Sequence, residues 1–277
     1  DPSIGIEEEL AIKKTLYSKF WASGAGTGNV AKFEEKFKNF IGSKQCVAVS
    51  NGTAALHLAL SLFDIKNKEV ILPSLSFVST AHAILYNGGI PKFVDVDPDT
   101  LNIDPNLIED KITKKTKLIL PVHFGGIPCN LDSISSLCKK FNLNLVEDAA
   151  HAVGSTFDNK KIGSHGDAVC FSFHPVKNLS MPTGGAITLN FKNTGESSQK
   201  LKSRRWCGIT GRSGSNYDVD ELGWNYYMNE FSASIGIVQL GKLNQLNKKR
   251  QNIAKRYSKE LKIEHKMPYS LNSSYHL

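Results

Sequence analysis

The sequence has no apolar run approaching the roughly 20 residues that a membrane-spanning helix needs, so no helical span is expected. Its five cysteines, Cys46, Cys129, Cys138, Cys170 and Cys207, are scattered, odd in number and free of any C-x-x-C pair. Neither a zinc-finger spacing nor a disulfide framework is indicated, and a reducing, cytoplasmic setting fits best. There is no G-x-S-x-G elbow, and GSHG at 163–166 is not one, which argues against a Ser-His-Asp hydrolase. No His, Asp and Glu spacing resembles a ligand cluster, so no metal is expected. The opening DPSIGIEEEL is acidic, without a basic-then-apolar leader, and reads as no signal peptide. Repeats and low-complexity tracts are absent as well.

What is present suits a globular chain. At 277 residues and 40% hydrophobic it can bury a full core, as one large domain or as one domain and part of a second. The formal net charge of +8 raises the question of a nucleic-acid partner. Much of the excess lies in GKLNQLNKKRQNIAKRYSKELK, residues 241–262, where Leu243, Leu246, Ile253 and Tyr257 recur at roughly helical spacing. One solvated face of an amphipathic helix accounts for that charge without nucleic acid. Anionic small-molecule substrates would also favour a basic protein.

Along the chain, short apolar runs read as strands: VILP (70–73), KFVDVD (92–97), KLILPV (117–122), NLVED (144–148), DAVCFSF (167–173) and GAITLN (185–190). Between the first four lie helical patterns, STAHAILYNG, DPNLIEDKITKK and LDSISSLCKKFN. That alternation predicts a mostly parallel sheet with helices on both faces, and near-continuous apolar strands agree with two-sided burial. After Asp148 the strands come closer together, so part of the sheet is expected to turn antiparallel. NVAKFEEKFKNFIG precedes this block as an amphipathic segment, and VAVSNGTAALHLALSLF reads as strand, Asn51-Gly52 turn and helix from near Thr53. Beyond about residue 190 a polar, loop-rich stretch is predicted, then the basic helix, then a strand beginning at NSSYHL.

Three places could carry chemistry. The helix start in SNGTAALHLAL offers free amides and the Thr53 hydroxyl to a phosphate, although such a turn is more often only a cap. Asp148 ends NLVEDAAHAVG, where open α/β sheets bind ligands, and capping the next element is the competing reading. His151 follows three residues later. In FSFHPVKNLS, Phe171 and Phe173 read as strand, Pro175 ends it and Lys177 follows. Lys177 is either a plain loop charge or a Schiff-base lysine. Together, a phosphate cradle, a strand-end Asp and a strand-end Lys are the parts needed to hold pyridoxal phosphate.

Seven stretches in order resemble the DegT/DnrJ/StrS-type nucleotide-sugar aminotransferases: SNGTAALHLAL, PSLSFVSTAHAILYNGGIPKFVDVD, PVHFGGIPCNLDSI, VEDAAHAVGS, FSFHPVKN, GGAITLN and GWNYYMNEFSASIGIVQLGKL. The resemblance implies the fold of pyridoxal-phosphate-dependent transferases: a three-layer α/β/α large domain, residues 1–240, around a mostly parallel seven-stranded sheet. Residues 241–277 would then begin a smaller C-terminal α+β domain that is apparently truncated here. It further implies that Lys177 forms the Schiff base with pyridoxal 5'-phosphate and moves protons, and that Asp148 pairs with the pyridine nitrogen. His151 would sit near the phenolic oxygen, Phe77 would stack on the ring, and Gly52, Thr53 and Ser172 would hold the phosphate. Asn225 would reach the phosphate of a neighbouring subunit, so a homodimer with shared sites is expected. Glutamate would leave as 2-oxoglutarate, and the resulting pyridoxamine phosphate would aminate a keto-sugar linked to a nucleotide.

Two departures stand out. Pro182 and Thr183 replace a Gly and an acid common in the family, and Tyr227 stands where arginine is frequent. They bear on the substrate more than on the cofactor. Related dehydratases carry histidine in place of the lysine, so Lys177 argues against that activity. A non-catalytic regulator or nucleic-acid binder on the same scaffold would leave Lys177, Asp148 and the phosphate turn unexplained.

Overall fold

Short runs of branched and aliphatic residues become strands because both of their faces can be covered. In the computed structural model, which describes residues 2–262 and 270–276, helices α1 (Ile6–Ser18) and α2 (Asn29–Ile41) lead into strand β1 (Gln45–Val49). There follow α3 (Gly52–Leu60), β2 (Glu69–Pro73), α4 (Val78–Tyr86), β3 (Ile90–Val94), β4 (Thr116–Ile119), α5 (Leu131–Phe141) and β5 (Asn144–Asp148). A small hairpin of β6 (Thr156–Phe157) and β7 (Lys160–Lys161) precedes β8 (Ala168–Ser172) and β9 (Gly185–Leu189). The remainder comprises α6 (Thr194–Arg204), a hairpin of β10 (Ile209–Ser213) and β11 (Asn216–Val219), and α7 (Glu230–Glu260).

The central sheet has seven strands in the order β1-β9-β8-β5-β4-β2-β3, and β9 alone runs antiparallel to its neighbours. Helices α2, α5 and α7 cover one face, and α3, α4 and α6 the other. The α2 stripe Val30, Phe33, Phe37 and Ile41 is buried at helical spacing. Its phenyl rings meet those of the β8 strand edge-on, Phe37 to Phe171 at 5.1 Å and Phe33 to Phe173 at 5.4 Å.

Four expectations are corrected. DPNLIEDKITKK forms no α-helix but two 3-10 turns, Pro105–Leu107 and Glu109–Lys111. Within them no residue is buried, and Ile108 between the turns and Ile112 after them are what anchor the segment to the core. The stretch beyond residue 190 is less irregular than expected, since α6 buries Thr194, Ser198 and Leu201 on one face. Small polar residues there replace the apolar stripe that would have announced a helix. The basic helix begins at Glu230, well before 241, and while Leu243 is buried, Ile253 and Tyr257 are 45% and 56% exposed. No strand starts within 272–276: that backbone is taken up by the side chains of Asn178 and Ser155 and by single main-chain bonds to Thr156 and Gly125, with no ladder. Residues 263–269 and 277 of the expected second domain lie outside the described residues, and α7 runs unbroken through 240.

The edge strand β1 is closed by an ion pair. Ala48 N–H donates to Glu34 Oε1 at 2.9 Å, and Arg205 Nη1 donates to Ala48 O at 2.7 Å. Arg205 and Glu34 themselves meet at 2.5 Å, with the Arg205 side chain fully buried. The two side chains thus stand in for a further strand, and Ser50 N–H continues the pairing to Tyr226 O at 2.7 Å. This fixes the exit of β1 one residue before the α3 turn. Arg205→Ala leaves the Ala48 carbonyl unmatched and Glu34 with only Ala48 N–H and Lys202 at 3.4 Å, and should cost about 3–5 kcal/mol, measured by urea unfolding.

Candidate active site

The sheet delivers three groups to one crevice at the carboxyl ends of its parallel strands, the usual ligand position in such folds. Asp148 ends β5 in mid-sheet and is 4% exposed. Its Oδ2 accepts from Thr80 Oγ1 at 2.9 Å, and its Oδ1 from Ala150 N–H at 3.1 Å. Burial holds this carboxyl above the ordinary Asp range, opposed by those two hydrogen bonds and by the charge of Lys177. Behind it the fully buried His123 and Glu147 meet at 2.8 Å, and His123 N–H donates to Asp148 O at 3.0 Å. The strand end is therefore pinned from the opposite face of the sheet.

At the start of α3, Asn51 acts as N-cap and its Oδ1 accepts from Ala54 N–H at 2.8 Å. The Gly52 and Thr53 amides have no acceptor among the described residues, which leaves them for an anion. A Cβ added at Gly52 would lie 2.7 Å from Ser172 Cβ, so glycine is what lets this turn close against β8.

Beyond β8 the chain makes a tight turn, with Lys177 N–H donating to His174 O at 2.8 Å and Ser180 Oγ to Lys177 O at 2.7 Å. Burial pulls the Lys177 amine below the ordinary lysine range, and the Asp148 charge opposes it. Asn178, next in the chain, is buried and donates to Asn247 Oδ1 at 2.9 Å. The turn is thus anchored while the lysine side chain stays half-buried.

These groups line a single cavity of about 320 Å³. Gly52, Thr53, Phe77, Asp148, His151, Ser172 and Lys177, seven of the residues singled out from sequence, are among its walls. Phe77 is 72% exposed, a ring lying over an open mouth. His151 Nδ1 accepts from Gly125 N–H at 3.3 Å, and its pKa is pushed down to about 3 by burial first, then by Lys177 and His276. Asn225 is not brought in. It is exposed and pairs with Trp206, between Trp224 and Tyr226, which are packed with His57 and stacked on each other at 6.0 Å. Tyr226 and His57 line a second cavity of about 590 Å³ that shares Asn51 and Thr53 with the first.

Sequence reasoning missed Thr80, and it read Asn51 as a turn residue without assigning it the cap of α3. Asn before a Gly-Thr helix start is itself a cap signal. Thr80, three positions past Phe77 on α4, gives no local sign that it will meet a carboxylate from β5.

Comparison with known proteins places these features in context. The sequence model of the DegT/DnrJ/EryC1/StrS aminotransferase family matches residues 2–274. The spore coat polysaccharide biosynthesis protein SpsC of Bacillus subtilis is 38% identical over 262 residues, covering 92% of this chain and 67% of SpsC. An uncharacterised protein of Methanocaldococcus jannaschii, MJ1066, is 40% identical over 268 residues, 94% of this chain and 68% of the relative. The chain thus spans about two thirds of both relatives. Among solved structures, the Streptococcus pneumoniae putative sugar aminotransferase Spr1654 superimposes in its apo form with a TM-score of 0.92 at 28% identity. That match covers 99% of this chain and 74% of Spr1654. The same protein in its pyridoxal-phosphate form gives a TM-score of 0.89.

The His151 environment has a measurable consequence. An unfolded imidazole takes its proton near 6.5, the folded one only near about 3, so protons favour the unfolded chain between those values. The contribution is complete above about pH 6.5 and is lost progressively as pH falls towards 3. His151→Phe should make the stability profile shallower in that window, read from denaturant midpoints across pH.

Proposed function

Because the chain belongs to the DegT/DnrJ/EryC1/StrS aminotransferase family, whose members are pyridoxal-phosphate-dependent sugar aminotransferases, we propose that it aminates a keto-sugar carried on a nucleotide, with L-glutamate as donor. The observation that carries this is the convergence of Lys177, Asp148 and the α3 start on one cavity.

The residues fit pyridoxal 5'-phosphate. Free amides at Gly52 and Thr53, with the Ser172 side chain against Gly52, suit its phosphate. A buried carboxylate such as Asp148 is costly without a cation, and a protonated ring nitrogen would supply one. The cavity is within the usual size for such ligands, about 300–1,000 Å³.

When bound, the cofactor supplies a carbonyl for amine exchange and a ring that accommodates an electron pair. The protein's part is positional and protonic. Asp148, fixed by Thr80 and Ala150, keeps negative charge at the ring-nitrogen end. Lys177 Nζ, eased towards its neutral form by burial, is available as a nucleophile. With the cofactor bound, the same nitrogen would take up and return a proton in each half of the transfer, work typically worth about 10²–10⁴-fold. His151 carries its ring proton on Nε2, because Nδ1 accepts from Gly125, and so offers a neutral donor at the wall.

The working unit in this reading is a dimer, with the exposed Asn225 serving the neighbour's phosphate.

The test is spectroscopic. Protein mixed with pyridoxal phosphate should show a visible band that borohydride fixes on the Lys177 peptide, and Lys177→Ala should lack it. A folded protein with no band would overturn the reading. L-Glutamate should move the absorbance into the near ultraviolet, and an unchanged spectrum would exclude that donor. A panel of nucleotide-linked keto-sugars then reads out the acceptor by recovery of the visible band.

A further inference from the structure

Residues 270–276, far from the sheet in sequence, pack against the loops that carry His151 and Gly126. Ser274 N–H donates to Ser155 Oγ at 2.9 Å, Ser273 Oγ donates to Gly126 O at 2.8 Å, and Ser274 Oγ donates to His151 O at 3.2 Å. Asn178 Nδ2 donates to Ser274 O at 2.9 Å and to Tyr275 O at 3.2 Å. Gly126 has φ +85° and a Cβ there would meet Ser274 Oγ at 2.9 Å, so the close approach requires glycine. The segment thus stands in a fixed place.

It brings His276 onto His151. The two imidazoles lie face to face, centroids 4.2 Å apart and planes 23° apart, with Phe124 edge-on to His151 at 5.9 Å. One residue serves both, since Gly125 N–H donates to His151 Nδ1 and Gly125 O accepts from His276 N–H at 2.9 Å. Burial first, then the charges of Lys177 and Arg250, push His276 down to about 4, so neutral rings rather than repelling cations are stacked. Its Nδ1 is buried without a partner among the described residues.

We propose that His276 is a positioning residue of this active site: stacked on His151, it holds that imidazole in the plane and orientation from which its Nε2–H addresses the cavity. Gly125 selects the tautomer and His276 the plane, and either constraint alone would leave the ring free to turn. The inference rests on the cofactor reading only for what His151 meets. The face-to-face geometry stands without it.

The experiment compares His276→Leu, which fills the space without a flat ring, with His276→Phe, which keeps one. In cofactor-free protein, imidazole nitrogen NMR at neutral pH should show one His151 tautomer in wild type and His276→Phe, and an exchanging mixture in His276→Leu. Pyridoxal phosphate should bind about fivefold more weakly to His276→Leu and within about twofold of wild type to His276→Phe. If His276→Leu keeps both the single tautomer and wild-type affinity, or if His276→Phe behaves like His276→Leu, the stacking role is wrong. Wild-type protein that shows the ordered tautomer but binds no pyridoxal phosphate would instead sink the functional reading and leave the positioning intact.

Discussion

The cavity depends on how β8 is held. Phe171 and Phe173 point to the same face and lock edge-on against Phe37 and Phe33 of α2, each pair worth about 0.5–1.5 kcal/mol beyond the area buried. Because a strand alternates faces, fixing the two rings forces Ser172 to the other side, where it meets Gly52. A slip of one residue would exchange phenyl and hydroxyl, and the core would reject it. The strand therefore delivers Ser172 and, one turn later, Lys177 to the same edge as Asp148. Their placement is a consequence of packing elsewhere.

Burial then gives these groups their chemistry. The crevice raises the Asp148 pKa and lowers that of Lys177, and each charge opposes the effect on the other. In bulk water such a pair would simply be ionised. Inside the fold burial shifts both groups towards their neutral forms. Hydrogen bonds from Thr80 and Ala150 to the carboxylate work against the rise that burial causes. The free amides of the α3 start add a positive potential at another wall of the same cavity.

Much of this was legible in sequence where one local rule decides. Continuous apolar runs gave the strands, and the α2 stripe gave a helix. The spacing of Asp148 and Lys177 beyond their strands gave the site once a family pattern linked them. Legibility failed where tertiary contacts replace local signals. In α6 small polar residues form the buried face, so no apolar period exists to be seen. In DPNLIEDKITKK a plausible period leads only to 3-10 turns, with Ile108 alone fully buried and Ile112 partly so. Thr80 and His276 were invisible for a further reason: each acts through a partner remote in sequence, Asp148 for one and His151 for the other.

The last of these links shows that the sheet edge does not make the site alone. Asn178 follows the lysine directly, and its side-chain amide reaches both Asn247 on α7 and the backbone of Ser274 and Tyr275. Asn247 in turn donates to Val153 O at 2.9 Å, in the loop that carries His151. Two asparagines therefore tie together the lysine turn, the His151 loop, α7 and the segment bearing His276. Each bond is buried, where an unmatched amide or carbonyl is costly, so the four pieces hold their relative places as a unit. The distance between Lys177 and the His151–His276 stack is thus set by a polar network on the far side of the turn. That network leaves the lysine nitrogen itself unencumbered by any hydrogen-bond partner among the described residues.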